Sequence, residues 1–253
     1  MARSERGKTR LDQLLVARGL MESRSRARDA ILRGCVSLAG RPVAKPGLEV
    51  AEDAEIAVAD PAGGYVSRAA LKLAAALDAF GFDPKGRVAL DVGASTGGFT
   101  ELLLERGATR VYAVDVGHGQ LAARLADDAR VVSREGVNAR ALSEADVPEP
   151  VGAIVVDVSF ISLALVLEPV LARADEAAFA VLLVKPQFEV GREALGKGGI
   201  VRDPADADAA LERIADLVAR LPGWRVVGRM ASPIAGGDGN REFLLGVERC
   251  AKP

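Results

Sequence analysis

Residues 88–100 read Val-Ala-Leu-Asp-Val-Gly-Ala-Ser-Thr-Gly-Gly-Phe-Thr: a short apolar run broken by one acid, a glycine-rich turn, and the opening of a helix. A five-residue run with almost no polar face is a strand buried on both sides, and parallel sheets covered by helices bury strands that way. The chain beyond residue 65 keeps to this pattern. Apolar runs at Arg110–Val114, Arg130–Ser133, Ala153–Asp157 and Phe179–Val184 alternate with helical stretches. The first helix is expected over Arg68–Phe80 and the longest over Pro204–Arg220, where Pro204 suits a first helical turn. Trp224–Met230 and Glu242–Val247 read as a terminal antiparallel pair. The pattern predicts an α/β domain over residues 68–249, doubly wound, with seven strands, mostly parallel and the last antiparallel.

Residues 8–60 form a different, smaller unit of mixed α and β character. Leu11, Leu14, Leu15 and Arg18 recur at helical spacing, and Gly19 stops that helix. Ser23 is placed to cap a second helix bearing Arg24, Arg26, Arg28 and Arg33 opposite Ala27, Ala30 and Ile31, and Gly34 ends it. Short strands are expected at Val36–Leu38, around Val43 after a turn at Gly40, and at Glu55–Val58. Pro61, Gly63 and Gly64 mark residues 61–67 as a linker. The net charge of the chain is −2, but residues 1–45 hold eleven basic residues, Arg3 and Arg6 among them, against four acids, a balance of +7. A local basic patch on a nearly neutral protein is the footprint of polyanion binding. The candidates for phosphate contact are Arg10, Arg18, Arg24, Arg26, Arg28 and Arg33, with Arg68 just past the linker.

Several function classes are disfavoured. No apolar run reaches the roughly 18–20 residues of a membrane helix, and the charged start, Met1 to Arg6, is followed by no apolar stretch, so neither membrane insertion nor secretion is expected. Cys35 and Cys250 lie far apart without metal-ligand spacing and read as free thiols of a cytoplasmic protein. His118 is the only histidine, which argues against zinc catalysis and against a Ser-His or Cys-His nucleophile; no metal is expected.

The turn after residue 92 carries the sharpest chemical signal. Gly93, Ser95, Thr96, Gly97, Gly98 and Phe99 would let a ligand approach the backbone at a helix N-terminus. The spacing is not that of a dinucleotide fingerprint. Asp91 is awkward beside a pyrophosphate and suits a cationic ligand such as S-adenosyl-L-methionine, whereas Asp115, ending the next strand, could accept both ribose hydroxyls of an adenosine. Ligands of open α/β sheets bind at the carboxyl ends of the parallel strands. Asp157 and Lys185 end strands there, Glu242 opens the final strand, and Lys72 lies on the first helix. Each alone could be a solvated surface charge.

Taken in order, Lys72, Asp157, Lys185 and Glu242 resemble the catalytic tetrad of RNA ribose 2′-O-methyltransferases of the FtsJ/RrmJ type. The segments Tyr65–Arg68, Leu71–Leu73, Asp91–Thr100, Asp157–Leu163 and Val184–Glu189, together with Arg10-Leu11-Asp12, resemble the TlyA family more closely, over about residues 8–249. That resemblance implies an S4-type RNA-binding domain followed by a class I, Rossmann-like methyltransferase domain. It implies transfer of a methyl group from S-adenosyl-L-methionine to a ribose 2′-hydroxyl, cytidine in particular, of 16S or 23S ribosomal RNA within 30S or 50S subunits. It adds Val116 and Asn138 to the cofactor residues. Lys185 is expected to act on the hydroxyl as general base or orienting group, with Asp157 and Glu242 holding the two ammonium groups. The competing readings are a pore-forming cytolysin, as a haemolysin label would suggest, a non-catalytic RNA-binding regulator, and a methyltransferase acting on a small molecule or a protein.

Overall fold

The computed structural model describes residues 7–250, so Arg3 and Arg6 of the basic stretch lie outside the described residues. The chain divides into two compact units, one ending at Gly63 and the other beginning at Gly64. The smaller unit runs β1 (Lys8–Arg10), α1 (Leu11–Ala17), α2 (Arg24–Leu32), β2 (Val36–Leu38), β3 (Arg41–Pro42), β4 (Glu49–Ala51) and β5 (Ile56–Val58). Leu11, Leu14 and Leu15 of α1 pack with Ala27, Ala30 and Ile31 of α2 and with Val36 in one buried cluster. Ser23 Oγ accepts a hydrogen bond from the Arg26 N–H, so the expected cap forms. The strands differ from expectation in detail. The partner of β2 on one side is Arg41–Pro42 instead of a strand at Val43, and β5 pairs on its other side. β1 and β4 form a separate antiparallel pair. Strands of two or three residues are too short to show alternation, which is why periodicity does not reveal them.

The larger unit begins with α3 (Ala69–Phe80) and continues through β6 (Val88–Val92), α4 (Gly98–Glu105), β7 (Arg110–Val114), α5 (Ala123–Ala126), β8 (Val131–Arg134) and β9 (Val151–Val156). It closes with α6 (Leu167–Leu171), β10 (Ala174–Val184), α7 (Pro204–Arg220), β11 (Trp224–Ala231) and β12 (Phe243–Arg249). The seven strands lie in the order β11-β12-β10-β9-β6-β7-β8. β8, β7, β6, β9 and β10 are mutually parallel, and β12 is antiparallel to both of its neighbours. The final strand is thus inserted between β10 and β11, and it is the one strand of this sheet that runs against the rest.

Side-chain parity assigns the two faces of the sheet. Leu90, Val92, Ile154, Val156, Leu182 and Val184 pack with α6 and α7 in one buried cluster. Ala89, Ala153, Val155, Val181 and Leu183 pack with α3 and α4 in the other. Chain order reverses on either side of β6, which contacts β7 on one edge and β9 on the other. That reversal opens a crevice beyond the carboxyl ends of β6, β7 and β9, and the candidate site lies in it.

Candidate active site

The turn after β6 is shaped by two glycines. Gly93 has φ +87, and a Cβ there would lie 2.3 Å from the Asp157 carbonyl oxygen, so only glycine lets β6 and β9 end this close together. Gly97 has φ +98, and a Cβ on it would meet Leu125 at 2.3 Å. Ser95 is held at φ +47 and donates its backbone N–H to Asp115 Oδ2 at 2.7 Å. Asp115 Oδ1 accepts from the Gly117 N–H at 2.7 Å. The carboxylate at the end of β7 therefore ties two loops together and still presents lone pairs to the crevice.

A cavity of about 470 Å³ opens here, lined by Gly93, Ser95, Asp115, Val116, Asn138 and Phe160, among others. That volume falls within the range of small-molecule sites. A smaller one, about 180 Å³, shares Gly93, Ser95, Asp157 and Ser159 with it and adds Ser67, Thr96, Gly98, Phe99 and Lys185. Asn138 lines the larger cavity, with its side chain accepting from the Arg140 N–H at 3.1 Å. Gly97 lines neither cavity and serves the turn itself.

Asp91 lines neither cavity either. It shares the parity of Ala89, so its side chain turns beneath α4, where Oδ2 accepts from Thr100 Oγ1 at 2.6 Å. It is fully buried, and Oδ1 has no hydrogen-bond partner. Burial pushes this carboxyl up to about 7, with the charges of Asp157 and Asp115 adding to the rise against the bond from Thr100.

The four residues of the expected tetrad form two ion pairs. Lys72 Nζ lies 2.5 Å from Glu242 Oε2, both side chains buried, with Lys72 on the first turns of α3 and Glu242 in the loop just before β12. Lys185 Nζ lies 2.5 Å from Asp157 Oδ1. The approach is off the hydrogen-bond direction, since Oδ1 makes no hydrogen bond, and it is Ser159 Oγ that accepts from Lys185 at 2.8 Å. Lys185 and Asp157 face the smaller cavity, whereas Lys72 and Glu242 line neither.

Among the residues of this site given no role from sequence, two stand out. Ser159 is one, the hydrogen-bond partner of Lys185. Phe160 is the other: it sits at φ +63 with 91% of its surface exposed, on the rim of the larger cavity, its ring 5.2 Å from that of Phe188. A left-handed bulky residue that exposes an aromatic ring is costly on both counts, and such costs collect at functional sites. Neither feature has a local sequence signal, although both residues fall in the Asp157–Leu163 segment that resembles the TlyA family.

The arginines of the smaller unit fall into distinct groups. Arg10 makes a two-pronged contact with Asp12, both bonds 3.0 Å, and Arg24 Nε reaches the same carboxylate at 3.1 Å. Arg28 lies 3.8 Å from it. Asp12 is fully buried, and the hydrogen bond from Arg10 leads the effects that lower its pKa. Arg24 and Arg28 remain half exposed. Arg33 instead bridges Asp29 and Asp60 with only 14% of its side chain exposed, an internal staple between α2 and the end of the unit. Arg18 donates to the carbonyls of Glu52 and Ala54, and Arg26 to Glu22 and the carbonyl of Ala62. Arg68 stands at the N-cap position of α3 with helical φ and ψ and makes no side-chain capping bond there.

A seven-stranded sheet with one antiparallel strand, a glycine turn after its first strand and an acid ending the next define a class I methyltransferase. Residues 65–249 match the FtsJ-like methyltransferase family, and residues 9–56 match the S4 domain. The chain is 46% identical over 239 residues to the 16S/23S rRNA (cytidine-2′-O)-methyltransferase TlyA of Mycobacterium tuberculosis, covering 94% of this chain and 89% of that protein. It is 40% identical to hemolysin A of Brachyspira hyodysenteriae, covering 93% and 98%. A solved structure from Streptococcus thermophilus, described as a candidate hemolysin, shares 40% identity, covers 98% of this chain and 90% of its own, and superposes with a TM-score of 0.73. The chain belongs to the TlyA family of FtsJ-like methyltransferases. Among the described residues, no helix is long and apolar enough to cross a membrane, and no group of three His, Cys, Asp or Glu is placed to hold a metal ion.

Proposed function

We propose that this chain transfers a methyl group from S-adenosyl-L-methionine to a ribose 2′-hydroxyl of ribosomal RNA, cytidine in 16S or 23S rRNA, in the cytoplasm where ribosomal subunits are found. The observation that carries this reading is Lys185, which faces the smaller cavity and is held by Asp157 and Ser159, two residues that line both cavities. The donor set fits the cofactor: Asp115 and Asp157 make the crevice acidic, as suits a ligand with a sulfonium and an ammonium, and Gly93, Ser95 and Asn138 offer close backbone and amide approach. Asp115 would hold the adenosine ribose, with Val116 and Asn138 beside the adenine. When bound, S-adenosyl-L-methionine supplies a methyl group already activated by the sulfonium.

The protein's own work is then to place and deprotonate a weak nucleophile. With Asp157 and Ser159 fixing its amine, Lys185 directs its remaining valence at the ribose hydroxyl, as general base or as the group that aligns the oxygen lone pair. Lys72 and Glu242 supply the second lysine and carboxylate of the tetrad as a buried pair without net charge, outside both cavities. Phe160 offers an exposed ring on which an unstacked base can rest, the usual way single-stranded RNA bases are held by protein.

Residues 8–60 serve as the docking domain and 68–249 as the catalytic domain in this reading, joined by residues 61–67. Arg24 and Arg28, half exposed around Asp12, are the best placed phosphate contacts, and Arg10, Arg18, Arg26 and Arg68 are secondary ones. No metal is required by the chemistry. The test is tritiated methyl transfer from S-adenosyl-L-methionine to purified 30S and 50S subunits, with ribose methylation mapped to the nucleotide. Label in ribose-methylated cytidine is the expected result; label confined to bases, or none on either subunit, overturns the reading.

A further inference from the structure

The turn that follows Lys185 carries a carboxylate with no part in the chemistry above. Lys185 follows β10 and leads into a 3-10 turn over Pro186–Phe188, and Glu189 closes that turn. Its side chain does not face solvent freely. Oε2 accepts from Ser162 Oγ at 2.6 Å, and Oε1 accepts from the Leu163 backbone N–H at 2.8 Å. Both donors belong to the loop that follows Asp157. Burial pushes the Glu189 carboxyl up, against these two hydrogen bonds and the pull of Arg213. A partly desolvated carboxylate is costly, and here its two oxygens are used on one target, the loop that follows the neighbouring strand β9.

That loop carries Asp157, Ser159 and Phe160. Its backbone is strained at Phe160, with φ +63, so it does not hold this shape by local preference. The two turns meet at three places: Lys185 with Asp157 and Ser159, Phe188 with Phe160 at 5.2 Å between ring centroids, and Glu189 with Ser162 and Leu163. Only the last is made by residues none of which lines either cavity.

We propose that Glu189 is a positioning residue: its carboxylate latches the Asp157–Leu163 loop to the Lys185 turn, and so sets the distance between the Lys185 amine and Asp157 and Ser159 and holds Phe160 on the rim. The inference rests on the proposed role of Lys185 in methyl transfer. Loss of the latch lets the strained loop relax, which misplaces the lysine and, through Asp157 and Phe160 on the larger cavity, loosens the cofactor and substrate contacts of that loop to a lesser degree.

The experiment compares Glu189→Ala, Glu189→Asp and Glu189→Gln in the full chain. Glutamine can accept from the Leu163 N–H with its oxygen while its amide meets Ser162 Oγ, so it keeps both links; aspartate is one methylene too short to reach both. Single-turnover methyl transfer at saturating ribosomal subunits should fall at least tenfold in Glu189→Ala and Glu189→Asp. It should return to within about threefold of wild type in Glu189→Gln, and any loss of S-adenosylhomocysteine affinity or rise in subunit KM should be confined to the alanine and aspartate variants and be smaller than the loss of rate. Amide hydrogen exchange over residues 158–165 should rise in the alanine and aspartate variants only. A full rate in Glu189→Asp with raised exchange overturns the proposal, as does equal loss in Glu189→Gln and Glu189→Ala. If wild type transfers no methyl group, the functional reading fails, and the exchange pattern alone then decides the latch: unaltered exchange in Glu189→Asp refutes it. If Glu189→Ala does not fold, Glu189→Asp and Glu189→Gln carry the comparison.

Discussion

Replacing Asp91 by asparagine should change how the stability of the methyltransferase domain depends on pH. The Asp91 carboxyl is fully buried, has one oxygen without a partner, and is pushed up from its ordinary 3.8 to about 7. A carboxyl raised on folding favours the folded state while it is protonated. Its contribution is therefore complete below the unfolded value, and it is lost as pH rises through about 7. At about 1.4 kcal/mol per tenfold change in proton affinity, the whole rise amounts to about 4 kcal/mol, of which about 3 kcal/mol falls between pH 5 and pH 8. Asparagine keeps an acceptor for Thr100 but carries no charge, so the variant lacks this slope. Its amide nitrogen is left without a partner, at a cost of about 1–3 kcal/mol at every pH. The variant should be less stable than wild type, or equal to it, at pH 5 and should gain on it by about 3 kcal/mol by pH 8. Urea unfolding followed through the methyltransferase-domain transition at both pH values reads the difference directly. Parallel stability profiles in the two proteins would refute the reasoning, since they would mean that Asp91 does not titrate between those limits. A cationic ligand should also pull a proton off Asp91, so S-adenosyl-L-methionine binding at pH 7 should release protons in wild type and not in the variant.

Lys185→Ala should lower single-turnover methyl transfer on the order of a hundredfold or more while leaving S-adenosylhomocysteine and RNA affinity nearly unchanged, and Lys185→Arg should not rescue it, because arginine does not give up a proton near neutral pH. Asp115→Ala should weaken S-adenosylhomocysteine binding in calorimetry by about 1.5–3 kcal/mol, the range for a hydrogen bond to a charged group. Phe160→Ala should lower kcat/KM for subunits by an amount equivalent to about 1–3 kcal/mol of lost base stacking, with Phe160→Trp near wild type; equal activity in Phe160→Ala would remove the ring from the substrate site. Arg24→Ala with Arg28→Ala should flatten the salt dependence of RNA binding by about one to two units of slope, whereas Arg33→Ala should act by destabilising the small domain, visible as a lower melting temperature, because it leaves Asp60 unpaired.

The chemistry-bearing residue types and the sheet were legible in the sequence because both follow from local pattern. A strand buried on two faces is nearly all apolar, so β6, β7, β9 and β10 announce themselves, and a charge that follows such a run, as Asp115, Asp157 and Lys185 do, stands at a strand end. Helices α3 and α7 read from periodicity, and the Ser23 cap and the Gly34 stop bound α2. Motif order was enough to indicate the family. What the sequence could not decide is which charge meets which. Lys72 and Glu242 stand 170 residues apart, and only the insertion of β12 between β10 and β11 brings Glu242 to α3. Arg33 and Arg24 are alike as members of one basic helix, yet Asp60, 27 residues away, makes the first an internal staple while the second stays half exposed. The parity of β6 turns Asp91 under α4 and away from the cavity, and Glu189, on the turn after β10, meets Ser162 and Leu163 of the loop that holds the strained Phe160. Periodicity reports only which face of its own element a residue occupies; the partner of a buried charge is chosen by the packing of elements distant in sequence.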